Sequence, residues 1–290
     1  MTDTTERVSL ITGGSRGLGE AIAEALITDG HSVMLCARDF NALEEVKVRL
    51  SPKCVPGRRV SVQVCDVTEP AQVTNLVDVT LETYGHLDVL INNAGVYGPM
   101  GLLEDIDWED WVRAIHINVM GTVLPCRSVL PHFKARGQGR IINISGGGAT
   151  NPLPRISAYA ASKAAVVRFT ETLALEVASQ GITVNAVAPG ALNTQLMDQL
   201  LAAGPDTVGK TFYEKMRQIH SSGGTPLEVG ASLCSYLASD RGGSVNGRLI
   251  SAVWDPWREF EAHAEDIAGS DVYTLRRIVP SERGMDWGNG

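Results

Sequence analysis

The chain is poor in cysteine and lacks long apolar runs, and each shortage excludes a class of protein. Its five cysteines are an odd number without metal-like spacing, so we expect mostly buried thiols rather than a disulfide framework. The six histidines are scattered as well, which argues against a metal site. No apolar stretch is long enough to span a bilayer, and the polar segment Met1 to Arg7 lacks the apolar centre of a signal peptide. We therefore expect a cytoplasmic protein without a metal centre.

Basic residues are also scarce relative to acidic ones. Lysine and arginine number 25 against 33 aspartates and glutamates, a formal charge of -8. This balance argues against nucleic acid or an anionic membrane surface as the main partner. The 290 residues contain no internal repeat or low-complexity linker and enough apolar residues for one large core. The simplest organisation is a single domain followed by a tail.

Strand-like runs alternate with longer helical patterns along most of the chain. Several runs are nearly continuous in Val, Ile and Leu, as is typical of parallel strands covered on both faces. The alternation predicts an α/β fold, a doubly wound parallel sheet between two helical layers, with its ligand site beyond the carboxyl ends of the strands. The predicted strands are Val8 to Thr12, Ser32 to Ala37, Val60 to Asp66, Leu87 to Ala94, Arg140 to Ser145, Ile182 to Pro189 and Gly247 to Ala252.

A glycine-rich loop, Gly13 to Gly19, separates the first predicted strand from the first helical pattern. Glycines permit positive φ and let backbone N–H groups approach a phosphate, while the helix N-terminus favours negative charge. An ordinary strand-to-helix turn would also explain the glycines. The loop opens a βαβ unit, however, and that context predicts a dinucleotide site.

Tyr159 and Lys163 lie one helical turn apart in Y-A-A-S-K, so their side chains share a helix face. A free phenol titrates near about 10, and a neighbouring ammonium group favours the phenolate and lowers that pKa. Such a pair is suited to general acid/base catalysis. The alternative is that Tyr159 packs in the core while Lys163 is solvated.

The order of these motifs resembles the short-chain dehydrogenase/reductase family over roughly residues 6 to 252. The resemblance also rests on Asn92-Asn93-Ala94-Gly95 and on Asn118 in I-N-V-M-G. It implies a Rossmann-type, three-layer α/β/α domain over residues 1–252 that interconverts a secondary alcohol and a ketone on a small molecule. It further implies a homodimer or homotetramer, because the helices predicted at Trp108 to Arg136 and Ser157 to Gln180 correspond to a subunit interface.

The resemblance assigns roles to individual residues. Tyr159 exchanges a proton with the substrate, Lys163 lowers its pKa and holds the ribose, and Asn118 supports a water near Lys163. A buried amide bonding locally is the alternative for Asn118. Cofactor contacts are implied for Gly13, Ser15, Arg16, Gly17, Leu18, Gly19, Arg38, Asp66, Val67, Asn93, Ala94, Gly95, Tyr159, Lys163, Pro189, Gly190, Leu192 and Thr194.

The end of the second predicted strand bears on the choice of cofactor. An acidic residue there accepts hydrogen bonds from ribose hydroxyls, but this chain has Ala37 followed by Arg38. A guanidinium group binds a 2'-phosphate in a forked contact, and Arg16 offers a second cation. The pattern favours NADP(H), and NAD(H) is the alternative. Arg38 would then be an ordinary solvated surface residue.

One position departs from the family pattern. Gly146 stands where the family places a serine that hydrogen-bonds the reacting oxygen, and Ser145 lies one residue early. Three consequences are open: Ser145 substitutes, Tyr159 works without a serine and with help from substrate hydroxyls, or the chain binds nucleotide without efficient turnover. We favour the first. The third defines the rival function, a regulatory, scaffolding or otherwise non-redox nucleotide-binding protein.

The regions after the sixth predicted strand are the least regular. By the resemblance, residues 191–225 correspond to a substrate lid. For any single residue among them, such as Met197 or Met216, packing on the sheet is the favoured role. The extension 253–290 contains a predicted helix, Arg258 to Ala268, and several aromatic and arginine residues. It either closes the pocket around a polar or anionic substrate or docks on a neighbouring subunit in a structural role.

Overall fold

The protein is described by a computed structural model that covers residues 6–288. Residues 1–5 of the polar N-terminal stretch and residues 289–290 of the extension lie outside the described part. All seven predicted strands are confirmed, with small differences at their ends. They are β1 (Arg7–Thr12), β2 (His31–Ala37), β3 (Val60–Val64), β4 (Val89–Asn92), β5 (Gly139–Ile144), β6 (Ile182–Ala188) and β7 (Leu249–Ser251).

The strands form one parallel sheet in the order β3-β2-β1-β4-β5-β6-β7. The order in which the chain adds strands to the sheet reverses between β1 and β4. In this pair of strands Ser9 lies opposite Val89, and Ile11 lies opposite Ile91. At such a switch point the two connections leave in opposite directions and open a crevice beyond the carboxyl ends. The crevice therefore lies beside the glycine loop that follows β1.

Helices cover both faces of the sheet and give the α/β/α arrangement predicted from the sequence. Helices α1, α2 and α10 pack on one face through residues such as Ile22, Leu43 and Leu233. Helices α3, α5 and α6 pack on the other. The α-helices are α1 (Gly17–Thr28), α2 (Phe40–Leu50), α3 (Pro70–Tyr84), α4 (Trp108–Ile115), α5 (Gly121–Arg136), α6 (Ser157–Val177), α7 (Gln195–Ala203), α8 (Pro205–Val208), α9 (Lys210–Ser221), α10 (Leu227–Ala238) and α11 (Ala264–Ala268).

The helix predicted from Trp108 to Arg136 is interrupted once. A π-helical turn, His116–Met120, separates α4 from α5 and contains Asn118. Single turns of this kind widen a helix locally and occur often at functional sites. The turn places the buried amide of Asn118 opposite the loop after β4.

The C-terminal extension packs on the body of its own chain. Trp257, Phe260 and Ile267 are buried in the core on the α10 face. Leu249 of the edge strand β7 donates a backbone hydrogen bond of 2.8 Å to the carbonyl of Tyr273, so the extension covers part of the sheet edge. The predicted helix Arg258 to Ala268 is wrong in extent, since only a 3-10 turn, Trp257–Glu259, and the short α11 form there. Packing of Trp257 and Phe260 into the core overrides the helical spacing.

All five cysteines are free thiols, and four of them are buried. Across residues 6–288, no helix is both long and apolar enough to cross a membrane.

Candidate active site

The glycine loop forms a narrow cradle at the switch point. Gly13 has φ of +64°, and a β-carbon on it would lie 2.9 Å from the α-carbon of Ala94. The Thr12 hydroxyl accepts hydrogen bonds from the backbone N–H groups of Asn93 at 3.0 Å and Ala94 at 3.1 Å. The Asn93 amide in turn donates to the carbonyls of Thr12 and Gly13 at 3.0 Å. These hydrogen bonds hold the loop after β4 against the glycine loop, where only glycine fits at position 13. Glycines of this kind also let backbone N–H groups approach a phosphate closely.

The ends of β2 and β3 border a cavity of about 510 Å³ whose lining includes Arg38, Asp66, Thr68 and Trp108. Asp66 accepts hydrogen bonds from the backbone N–H of Thr68 at 3.0 Å and from its hydroxyl at 2.7 Å. Arg38 is exposed and forms no ion pair with any residue between 6 and 288. Its guanidinium group is therefore available to a ligand.

Arg16 has a different environment from Arg38. Its guanidinium group donates a hydrogen bond to the side chain of Gln195, at the start of α7. Arg16 consequently links the glycine loop to the region predicted as a lid. It is less available to a phosphate than Arg38.

The segment after β6 closes the cradle from the other side. Gly190 has φ of +99°, and a β-carbon on it would lie 2.8 Å from the Thr225 hydroxyl oxygen. Leu192 forms a parallel β-bridge with Thr225. A β-carbon on Gly17 would lie 3.5 Å from the Thr194 methyl group. The structure thereby brings the predicted contacts after β1 and after β6 to one edge of the sheet.

Lys163 is almost fully buried, with 5% of its surface exposed. Its ammonium group donates a 2.8 Å hydrogen bond to the carbonyl of Ile144 and lies 5.6 Å from the centre of the Tyr159 ring. Burial lowers the pKa of Lys163 to about 8. At neutral pH the side chain therefore still carries most of its charge.

Tyr159 lies beside Lys163, with its ring edge-on to Tyr97 at a centroid distance of 4.7 Å. Burial raises the pKa of Tyr159 above its ordinary value, and the negative charge that Tyr97 would carry raises it further. We expected Lys163 to lower this pKa, but in the chain by itself the lost hydration of the phenolate outweighs the nearby ammonium. The Tyr159 hydroxyl makes no hydrogen bond to any residue from 6 to 288, so it is free to bond a substrate.

The Asn118 side chain connects three separate segments. Its amide oxygen accepts a 2.8 Å hydrogen bond from the backbone N–H of Val96. Its amide nitrogen donates to the Val96 carbonyl and to the Ser162 hydroxyl, each at 2.8 Å. Ser162 itself donates to the carbonyl of Tyr159 at 2.8 Å. Asn118 thus joins the loop after β4 to the start of α6, and its bonding is not merely local to its own helix.

Gly146, and not Ser145, lies next to the phenol. A β-carbon on Gly146 would lie 2.5 Å from the Tyr159 hydroxyl oxygen. The Ser145 side chain is 2% exposed, and its hydroxyl donates a 3.3 Å hydrogen bond to the carbonyl of Lys163. Successive residues of an extended chain point to opposite sides, and the glycines do not turn the Ser145 hydroxyl inward. This placement argues against our preferred expectation that Ser145 substitutes for the family's serine.

Tyr159 packs against an apolar cluster. Helices α7, α8 and α9 contribute the buried residues Met197, Leu200, Val208 and Met216 to it. Sequence reasoning missed the partly buried members Tyr97, Met100 and Leu153, which lie in irregular loops without periodicity. The lid residues therefore pack among themselves and against the loop residues beside Tyr159.

Arg155 ties this lid to the loop after β5. It adopts φ of +67°, a costly backbone conformation for a residue other than glycine. Its guanidinium group donates to the carbonyls of Asp206 at 2.7 Å and Thr207 at 3.2 Å. The sequence contains no signal for this contact, because the partners are backbone atoms far along the chain.

Three aromatic and basic residues of the extension are exposed or paired within it, so they give no support to a pocket wall. Trp254 and Trp287 are 84% and 78% exposed. Arg276 forms ion pairs with Asp271 and Glu282, each at 2.6 Å. The positive charge of this arginine is therefore neutralised within the extension.

A doubly wound sheet with a glycine cradle at its switch point defines an α/β dinucleotide-binding protein. The family model described as short chain dehydrogenase matches residues 7–203. A Streptomyces virginiae protein named for a ketoacyl reductase of the monensin polyketide synthase is 37% identical over 259 residues, covering 87% of this chain and 97% of the relative. The chain belongs to the short-chain dehydrogenase/reductase family.

Solved structures agree with this assignment. A variant of actinorhodin polyketide ketoreductase with NADPH has a TM-score of 0.77 at 29% identity, covering 87% of this chain and 97% of that chain. NAD+-bound xylitol dehydrogenase has a TM-score of 0.76 at 27% identity, covering 84% and 96%. The protein is an NAD(P)-dependent oxidoreductase that acts on CH-OH groups.

Proposed function

We propose that the enzyme uses NADP(H) to interconvert a secondary alcohol and a ketone, with Tyr159 as the acid/base. The observation that carries this proposal is the Tyr159 hydroxyl, which has no hydrogen-bond partner among residues 6–288. Its ring lies 5.6 Å from the Lys163 ammonium, at the edge that holds the glycine cradle. Gly13 and Gly190 let the loops after β1 and β6 pack closely against Ala94 and Thr225 at the switch point, which is where folds of this kind bind a dinucleotide.

The bound cofactor supplies or accepts the hydride, and the residues of the chain move the proton. In reduction, Tyr159 gives its hydroxyl proton to the carbonyl oxygen, and in oxidation it takes a proton from the alcohol. Lys163 favours the phenolate through its positive charge. Asn118 and Ser162 hold the start of α6 against the loop after β4, which keeps Tyr159 in place.

Arg38 supports the preference for NADP(H) over NAD(H). The residue follows β2, has no ion-pair partner within residues 6–288, and Ala37 before it supplies no carboxylate to repel a phosphate. A guanidinium group binds phosphate in a forked, charge-assisted contact. Among the neighbours, one holds NADPH and another NAD+, so the choice rests on residues of this chain.

Fluorescence titration tests the cofactor preference. We expect tighter binding of NADPH than of NADH, and Arg38→Asp should reverse the order. Arg283→Asp, a matched charge change on the exposed extension, should leave both affinities unaltered. Tighter NADH binding by the unmodified protein contradicts the assignment.

The rival proposal is a nucleotide-binding protein with a regulatory or scaffolding role. Gly146 favours it, because the family's second hydrogen bond to the reacting oxygen has no side chain there. Reduced-cofactor absorbance followed across a broad panel of ketones and alcohols separates the two functions. Turnover supports the oxidoreductase, whereas NADPH binding without any turnover supports the rival. The homodimer or homotetramer and the cytoplasmic location stay predictions.

A further inference from the structure

The reacting oxygen has few donors from the segment that carries Tyr159. Reduction of a ketone places negative charge on that oxygen, and hydrogen-bond donors aimed at it stabilise the transition state. The Ser145 hydroxyl donates to the Lys163 carbonyl, and the Lys163 ammonium donates to the Ile144 carbonyl. Gly146, which faces the phenol most closely, has no side chain to offer. None of these three residues therefore donates a side-chain hydrogen bond to the reacting oxygen.

The surroundings of Tyr159 favour a neutral, largely apolar substrate. The ring belongs to the cluster that contains Ile156, Met197, Leu153 and Met100. Burial and Tyr97 are the causes that shift the pKa of Tyr159, and no carboxylate or guanidinium group contributes. With Arg276 paired inside the extension, an anionic substrate finds no matching charge from that residue.

We propose that the substrate supplies the missing donor itself. It is a ketone whose own hydroxyl closes a six-membered hydrogen-bonded ring onto the carbonyl oxygen, as in an ortho-hydroxyaryl ketone or the enol of a β-diketone. This inference rests on the proposed function and names its substrate class. Gly146 has no side chain that could donate to the reacting oxygen, so no donor from that position competes with the substrate hydroxyl.

The reaction balances without a further reagent. The carbonyl carbon gains a hydride from the reduced cofactor, and the carbonyl oxygen gains the proton of Tyr159. The substrate hydroxyl keeps its own proton and strengthens its hydrogen bond as charge builds on the oxygen. In a site with little water such a bond contributes more than it does in solution.

Three small ketones test the inference with NADPH and the unmodified enzyme. Ortho-hydroxyacetophenone presents the internal donor, ortho-methoxyacetophenone fills the same place without a proton, and para-hydroxyacetophenone has a hydroxyl that does not reach the carbonyl. Rates of borohydride reduction correct for intrinsic reactivity. We expect kcat for the ortho-hydroxy ketone to exceed the other two by about 100-fold, the typical effect of one oxyanion donor.

Corrected rates that agree within about threefold, or no reduction of any of the three, overturn the inference. Comparable rates that Tyr97→Phe lowers for all three ketones also overturn it, since Tyr97 then supplies the donor. The broad panel judges the proposed function separately. Turnover of other ketones leaves that function standing even where the ortho-hydroxy preference is absent.

Discussion

A β-carbon on Gly146 would lie 2.5 Å from the hydroxyl oxygen of Tyr159. Two unbonded heavy atoms do not approach so closely, so any larger residue at position 146 must displace the phenol. Gly146 has φ of 178°, an extended conformation open to every residue. The constraint at position 146 therefore comes from where the Tyr159 hydroxyl lies and not from the backbone conformation.

Gly146→Ala should lower kcat by about tenfold or more, because a displaced acid/base loses its alignment with the reacting oxygen. The thermal midpoint should change little, and steady-state kinetics with circular dichroism melting measures both. Gly147→Ala is the matched control, since a β-carbon there meets no atom of residues 6–288 within 4 Å. Equal kcat in the two variants contradicts the assignment of this space to the active site.

Tyr159→Phe should abolish most turnover while cofactor binding persists. Removing a general acid/base costs about 10² to 10⁴ in rate, whereas the ring and its contact with Tyr97 are retained. Single-turnover kinetics and NADPH titration measure the two effects. Undiminished reduction of a ketone by this variant excludes Tyr159 as the proton donor.

We expect the folded protein to lose stability in acid because of His31. The ring is buried and shares a 2.8 Å hydrogen bond with the Ser9 hydroxyl. Burial, helped by the positive charge of Arg7, lowers its pKa from 6.5 to about 4. Between those values the unfolded chain binds more protons than the folded one, so stability falls as pH drops from 6.5 towards 4. Urea unfolding should show a loss of about 2 kcal/mol from this residue between pH 7 and pH 5. His31→Gln should reduce that pH dependence, and an unchanged slope would show that His31 does not cause it.

We expect the C-terminal extension to stabilise the fold through Leu275. Its side chain packs against the buried cluster of Ala149, Val167 and Ala186, and its backbone N–H donates to the Glu171 carboxylate at 2.6 Å. Leu275→Ala should reduce the free energy of unfolding by about 1 kcal/mol, while Ile278→Ala, whose side chain is 53% exposed, should have little effect. Urea unfolding measures the stability of both variants. Equal stability would show that the Leu275 side chain does not stabilise the fold.

The predicted strands were confirmed because continuous Val, Ile and Leu runs between helical patterns leave few other arrangements. Tyr159 and Lys163 were found for a related reason, since a spacing of four residues in a helix places two side chains on one face. The direction in which the Ser145 side chain points could not be predicted from spacing in this way. It depends on how the chain leaves β5, and three consecutive glycines carry no local signal for that turn.

The amino-acid sequence by itself determined the alternation of strands and helices, the glycine cradle and the tyrosine–lysine pair, because each follows from local periodicity or spacing. Only the tertiary structure decided that Gly146 faces the phenol, that Tyr97 lies edge-on to it and that the extension covers β7. These relationships join residues that are distant in the chain or that lie at an irregular turn. Tertiary packing determines which of the backbone conformations open to such segments is adopted.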